Sequence, residues 1–394
     1  MKKKILICGG FQLPDRNASA VRALGNARLL QQLGYKVYVL GKLPNPELSS
    51  FTWQSGGLEP IECINIAKPT LDYRGPSYVA SEAPIRAFVE SIGRESVKAI
   101  MTYNYPARGT HKVNQLCREL GAASILDCTE WYGWEGKNIF RNLSRLVGVQ
   151  IKMRFLTKQA GNVIVASYFL ERFLLGQHVL KLPFVVDPAE QRWQLAAIPQ
   201  NKYTTFTYSG SPGLGMHKDR LPSMLKAFGE LYTKGHTFKL NIVGLTQQQY
   251  LAEVPNQQNL IEHLSTAVEF HGRVLHTESI ALLKASDFAV FFRKPNRVAN
   301  VGFSTKFVEA ASLGIPVISN ATSDIPDYLD DGVNGFLAPE FTDQAMYQAL
   351  EKAMILTPNE RKEMHERCRK LQPFCYEKWR DVTQQFMDNL VVRA

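Results

Sequence analysis

A chain of 394 residues is too long for one compact core and implies two domains of ordinary size. A hydrophobic content of 45%, with no apolar run long enough to cross a bilayer, argues against wholesale disorder and against a membrane-spanning helix. The net charge of +10 favours anionic partners without choosing among phosphate-bearing ligands, nucleic acid and an acidic membrane surface. No nucleic-acid module signature occurs, so nucleic acid is not an expected partner.

The start, MKKKILICGG, is basic but enters a short apolar strand at Ile5–Cys8 and then a Gly9-Gly10 turn, which is not the pattern of a secretory signal. The polar loop FQLPDRN follows. Ser19–Leu33 spaces Val21, Leu24, Ala27 and Leu30 on one helix face, and Gly34 stops it. Val37–Leu40 is the next strand, and the alternation continues near 97–102, 111–120 and 122–126. This is the pattern of a parallel sheet covered on both faces. A second series of strands is expected at 203–208, 238–243, 267–271, 287–292 and 315–319. The join lies in LPFVVDPAEQ (Leu182–Gln191), which gives an N-terminal domain over 1–183 and a C-terminal domain over 184–372. Residues 373–394 form a further helical segment, with Trp379, Val382 and Phe386 on one face, expected to pack back on the first domain. The cysteines Cys8, Cys63, Cys117, Cys128, Cys368 and Cys375 form no CxxC pair and no zinc-spaced cluster, so they read as reduced thiols.

Three motifs carry chemistry. Gly9-Gly10 follows a strand, where glycine lets a ligand approach the backbone; a plain tight turn explains it equally well. The dinucleotide fingerprint GxGxxG is absent. Ser209–Asp219, SGSPGLGMHKD, presents Gly210, Ser211 and Gly213 between a strand and a helix, with Lys218 adding charge. It reads as an anion-binding loop or as an ordinary loop with a solvated lysine, and it is not a Walker loop. RKPNRVANVGFSTKFVEAASLG runs from Arg293 to Gly314. There Gly302, Phe303, Ser304 and Thr305 open a helix whose free N–H groups suit a diphosphate, and Glu309 can accept two hydrogen bonds from a ribose diol. The alternative makes Ser304 a helix cap and pairs Glu309 with Lys306.

These pieces together resemble the retaining glycosyltransferases of family four, which have the GT-B fold: an α/β chain of two Rossmann-like domains with parallel sheets facing across a cleft. The resemblance is strongest from Tyr208 to Pro339. Beyond the loops above, it rests on LPFVVD, FHGRV, SDFAVFF, GFSTKFVEAASLGIPVIS and DGVNGFL, with PDRNASAVR and GSPG…KDR similar to a bacterial subgroup that makes cell-surface polysaccharides. It implies a nucleotide-sugar donor, no cofactor and no metal, a saccharide or lipid-linked acceptor, and a cytoplasmic enzyme. Lys218 would stand for the family's lysine on the diphosphate, Glu309 for the acid on the ribose, and Val274 in the FHGRV stretch would face the base; Arg293 and Lys306 are expected, beyond the resemblance, to supply the charge of the missing arginine. Two positions depart from the family. Val301 stands where the family has a first acid, and Ser211 where it has an arginine. Asn300 is the expected substitute contact to the donor sugar, or else a residue that shapes the turn. A nucleotide-sugar epimerase of the same fold and a non-catalytic partner of another transferase remain open.

The acceptor is expected on the first domain. LDCTEWYGWEG combines Asp127, Glu130 and Trp131 with Tyr132 and Trp134, a set suited to sugars or to packing on its own domain. Lys137–Lys158 follows, with six positive charges, no acidic residue, and Ile139, Phe140, Leu143, Leu146 and Val147 on an apolar face. It reads as an anionic-membrane surface on the inner face of the cell membrane, or as an ordinary surface helix.

Overall fold

The computed structural model describes every residue except 1–2, 15, 46, 55–58, 68–77, 132–138, 196, 214–215, 217 and 394, and the side chain of Arg141. The chain divides into two compact units. The first comprises Met1–Glu190, Val301–Phe303 and Cys375–Ala394, and the second Gln191–Asn300 and Ser304–Phe374.

In the first unit, strands β1 (Lys4–Gln12), β2 (Lys36–Lys42), β3 (Ser50–Trp53), β4 (Ile61–Asn65), β5 (Val97–Tyr103), β6 (Ala123–Cys128), β7 (Gly161–Val165) and β8 (His178–Lys181) form one sheet in the order β3-β4-β2-β1-β5-β6-β7-β8. Every pairing is parallel except β3 with β4. Helices α1 (Ala18–Gln32), α2 (Ala83–Ile92), α3 (Ala107–Leu120), α4 (Ile139–Ile151), α5 (Thr157–Ala160) and α6 (Tyr168–Phe173) are interleaved with the strands. Side chains of a strand alternate between sheet faces. Accordingly Ile5 and Ile7 enter a core shared with α1, while Leu6 and Cys8 enter a second core built with α2 and α3. The expected Gly9-Gly10 turn is instead strand: β1 runs on to Gln12, with an irregularity between Cys8 and Gln12. Gly10 is exposed on it, and the turn waits for the residues after Gln12.

The second unit holds β9 (Thr204–Ser209), β10 (Phe238–Val243), β11 (Val268–Gly272), β12 (Phe288–Val290), β13 (Val317–Asn320) and β14 (Gly335–Ala338). All are parallel, in the order β11-β10-β9-β12-β13-β14. Its helices are α7 (Leu221–Thr233), α8 (Gln247–Glu253), α9 (Gln258–His263), α10 (His276–Lys284), α11 (Arg297–Val301), α12 (Thr305–Ser312), α13 (Asp343–Met354) and α14 (Pro358–Leu371), α11 reaching one residue into the first unit. Phe206, Phe228, Phe238 and Phe288 meet ring to ring beneath this sheet.

The first stretch of the first unit runs to Glu190 rather than to residue 183. Val185 and Val186 are buried, the Val185 carbonyl lies against α1 at Gly25 so closely that a Cβ there would sit 2.2 Å from it, and Glu190 pairs with buried Arg28 at 3.6 Å. The last helix, α15 (Arg380–Asp388), follows a 3₁₀ turn at Tyr376–Trp379 and contributes Phe386 and Met387 to the α1-side core. All six cysteines are buried and unpaired.

Candidate functional site

In a doubly wound parallel sheet, ligands bind beyond the carboxyl ends of the strands where the strand order reverses. In the second unit that point lies between β9 and β12. β9 hands the chain to Gly210, whose φ of 138° suits glycine and where an added Cβ would lie 2.7 Å from the Lys306 amine. The glycine is therefore what lets Lys306 approach the backbone. Ser211 is exposed, and its Oγ accepts from the Gly213 N–H at 3.4 Å. The Lys218 N–H donates to the Pro212 carbonyl at 2.9 Å, which closes the loop; Lys218 itself is exposed.

The loops after β9 and β12 are joined to each other. Asp219 and Arg293 form an antiparallel bridge, and the Arg220 N–H donates to the Phe292 carbonyl at 2.9 Å. From the neighbouring strand end, Asn320 clamps the Arg293 backbone, accepting from its N–H at 2.8 Å and donating to its carbonyl at 2.9 Å. The Asp219 side chain, 1% exposed, then accepts from the Tyr208 hydroxyl at 2.9 Å and the Lys306 amine at 2.7 Å, with Arg293 Nε at 3.5 Å. Burial is the largest influence on the Asp219 carboxyl and pushes its pKa up. Lys306 and Arg293, helped by Lys218, outweigh it, so the carboxyl sits below the ordinary range. Burial, reinforced by Asp219, drives the Tyr208 hydroxyl well up. The cluster therefore holds two cations to one carboxylate, both largely shielded from water, and suits an anion.

Lys306 reaches this cluster from the first turn of α12. The residue before that helix, Ser304, is 2% exposed, and its Oγ makes no hydrogen bond among the described residues. Ser304 thus occupies the cap position without capping. Thr305 is half-buried beside it. The alternative pairing of Glu309 with Lys306 does not form, because the buried Asp219 carboxylate captures the lysine. Glu309 instead lies 3.2 Å from Nε2 of His276, the first residue of α10. Val274, half-buried, is in the short loop between β11 and α10.

Asn300 ends the second unit's part of α11. Its amide oxygen accepts from the Ser323 N–H at 3.0 Å and its carbonyl from the Ser323 hydroxyl at 3.3 Å, so it supports Ser323 in a left-handed conformation, φ 52°. Val301 is fully buried in a first-unit core cluster, and its carbonyl accepts from Ser167 Oγ at 2.7 Å. Gly302 and Phe303 are half-buried between α11 and Ser304.

On the first unit the acceptor expectations need correction. Asp127 is 1% exposed. Arg22 grips it through Nε at 3.0 Å and Nη2 at 2.8 Å, and Asn26 donates to it at 3.1 Å, so the carboxylate ties α1 to β6 and has no free edge for a sugar. Trp131 is 4% exposed and packs edge-on against Phe173 with ring centroids 4.8 Å apart; its faces are spent on the core. Glu130 remains half-buried, and Tyr132 and Trp134 lie outside the described residues. The strand ends here instead bring together Tyr103, Asn104 and Thr129, with Asn104 Nδ2 donating to Thr129 Oγ1 at 2.9 Å. Neither this trio nor His276 and Asn320 has a motif in the sequence.

Residues 205–355 match the family model for Glycosyl transferases group 1. No curated protein matches the sequence. Several solved structures match over the whole length. Sucrose-phosphate synthase from Thermosynechococcus elongatus is 16% identical with a TM-score of 0.69, covering 99% of each chain. A glycosyltransferase from Rickettsia africae ESF-5 is 14% identical with a TM-score of 0.67, covering 98% of this chain and 99% of that one. Anabaena HepE in complex with UDP is 13% identical with a TM-score of 0.65, covering 99% and 100%. Likeness at such identities speaks to architecture: the chain has two α/β domains on predominantly parallel sheets, the fold of GT-B glycosyltransferases.

Proposed function

We propose that this chain is a retaining hexosyltransferase that moves a sugar from a nucleotide-sugar donor to a saccharide or lipid-linked acceptor on the cytoplasmic side, in the synthesis of cell-surface polysaccharide. The observation that carries the reading is the excess of buried cation over carboxylate at the switch point of the second unit, set against the first turn of α12. A leaving nucleoside diphosphate gathers negative charge as the glycosidic bond breaks. Fixed cations and helix-start N–H groups, already oriented, stabilise that charge more than they stabilise the intact donor. Lys306, Arg293 and Lys218 are assigned to the diphosphate, together with the backbone of Gly210–Gly213 and of Ser304–Thr305 at the start of α12. Glu309, oriented by His276, is assigned to the ribose diol, and Val274 to the base. This chemistry needs neither a protein nucleophile nor a resident cation. The comparison structure of HepE was solved with UDP, and UDP is the first nucleotide to test here.

The test is a thermal-shift and turnover series with UDP, GDP and TDP and their sugars. A nucleotide at 100 times its dissociation constant is expected to add about 2.7 kcal/mol of stability. Glu309→Ala and Lys218→Ala are expected to weaken nucleotide binding at least about tenfold, the cost of one charge-assisted hydrogen bond, while folding normally. Wild-type affinity in both variants would remove the assignment. Firm nucleotide-sugar binding without turnover would favour the non-catalytic reading, which the buried valine at 301 keeps in play.

A further inference from the structure

The first unit carries an apolar surface that its core does not absorb. α4 continues through a π-helical turn (Lys152–Leu156) into α5. One side of this rod packs inward through Val149 and Met153. On another, Ile139, Leu143, Val147, Ile151 and Phe155 follow one another at intervals of four residues, with Phe140 beside the first. Their exposures run from 41% at Ile151 to 87% at Phe140. Intervals of four keep side chains along one broad helix face. Single exposed apolar residues are ordinary, but an uninterrupted row of six marks an interaction surface. A second helix shares the buried cluster: α6 places Leu170 in it and leaves Phe169 and Phe173 exposed by 40% and 41%, with Leu175, just beyond the helix, exposed by 79%.

Along α4 and α5 the charge has one sign, while α6 adds the half-buried Glu171. Arg154 and Lys158 are exposed, Arg145 is half-buried, and no acidic residue occurs from Lys137 to Lys158. The first turn of α3 lies alongside, since a Cβ on Gly148 would sit 3.9 Å from that of Ala107, and exposed Arg108 follows. Large aromatic and aliphatic side chains bordered by arginine and lysine fit the boundary between lipid headgroups and acyl chains.

We propose that the α4–α6 face docks this protein on an anionic lipid bilayer, with Phe140 and Phe155 entering the headgroup–acyl boundary and Arg145, Arg154 and Lys158 among the lipid phosphates. Charge selects this occupant. A second copy would bring another chain of net charge +10, with the same cations, against this face. An anionic surface meets the apolar row and the cations together.

The experiment is co-sedimentation of the full chain with vesicles of phosphatidylcholine alone, or with about a third of phosphatidylglycerol, at low and high salt. No sugar nucleotide is present, so the outcome is independent of the donor assignment. Binding is expected to favour the anionic vesicles and to fall with salt. Phe140→Ser with Phe155→Ser should lower partitioning by about tenfold per ring. Arg154→Glu with Lys158→Glu should lower it by at least about fivefold per cation, on anionic vesicles only. Because these side chains are exposed, the melting temperatures should match wild type. Equal binding to both vesicle types, no binding, or variants that bind like wild type would each overturn the proposal. A wild-type dimer dissolved by the phenylalanine variant would assign the face to a second copy instead, and a large loss of melting temperature would make it a packing surface.

Discussion

Replacing Asp219 with alanine tests the electrostatic design of the second unit directly. The carboxylate is 1% exposed, and the side chains of Lys306 and Arg293 are 11% and 13% exposed. Removing it strands both cations in a region that water barely reaches, and leaves the Tyr208 hydroxyl without its acceptor. Breaking a buried ion pair from one side costs about 3–5 kcal/mol, against at most about 1 kcal/mol for an exposed pair. For a domain of about 150–250 residues that corresponds to a fall of about 6–20 °C in Tm. Scanning calorimetry and urea unfolding of Asp219→Ala, Lys306→Met and the double variant form the assay. The double variant should be more stable than Asp219→Ala alone, because it removes one of the two stranded charges. The pH dependence has a definite sign. The folded-state pKa is depressed, so the stabilisation is complete above the unfolded-state value of about 3.9 and is lost as pH falls through the lower folded value. Asp219→Asn should therefore flatten the acid limb of stability below about pH 4. A cost within about 1 kcal/mol for Asp219→Ala would refute the reasoning, since it would mean that the cations are hydrated in place.

Two further outcomes follow from the proposed donor chemistry. Asn300→Ala should lower turnover of the nucleotide sugar while leaving the affinity for free nucleoside diphosphate nearly unchanged, as steady-state kinetics and calorimetric titration would report; equal losses in both would show that the residue only supports Ser323. Turnover should survive EDTA, because Lys306, Arg293 and Lys218 supply the charge a divalent cation would otherwise bring. Complete loss restored by Mn²⁺ or Mg²⁺ would end that part of the proposal.

The sequence determined the class of the molecule because its periodicities are local. Short apolar strands alternating with amphipathic stretches admit little except parallel sheets covered by helices, and the strands expected at 203–208 and 238–243 lie at Thr204–Ser209 and Phe238–Val243. Gly210 and the start of α12 were legible for the same reason, since a glycine after a strand and a polar residue before an apolar helix act through their own backbone. Strands β3, β4, β7, β8 and β14 escaped this reading, whereas the equally short β12 and β13 were expected at 287–292 and 315–319, so length alone does not decide which strands show in the sequence. Whatever depended on which loop lies against which was decided by tertiary structure alone. Lys306 meets Asp219 across 87 residues, His276 meets Glu309 across 33, and Arg22 meets Asp127 across 105. Sequence names the charges in each pair but not the partner, because strand order in the folded sheet, not chain order, sets the neighbours. Trp131 and Asp127 show the consequence: both have the chemistry of a sugar site, and both are held in the core by side chains that no local pattern connects to them.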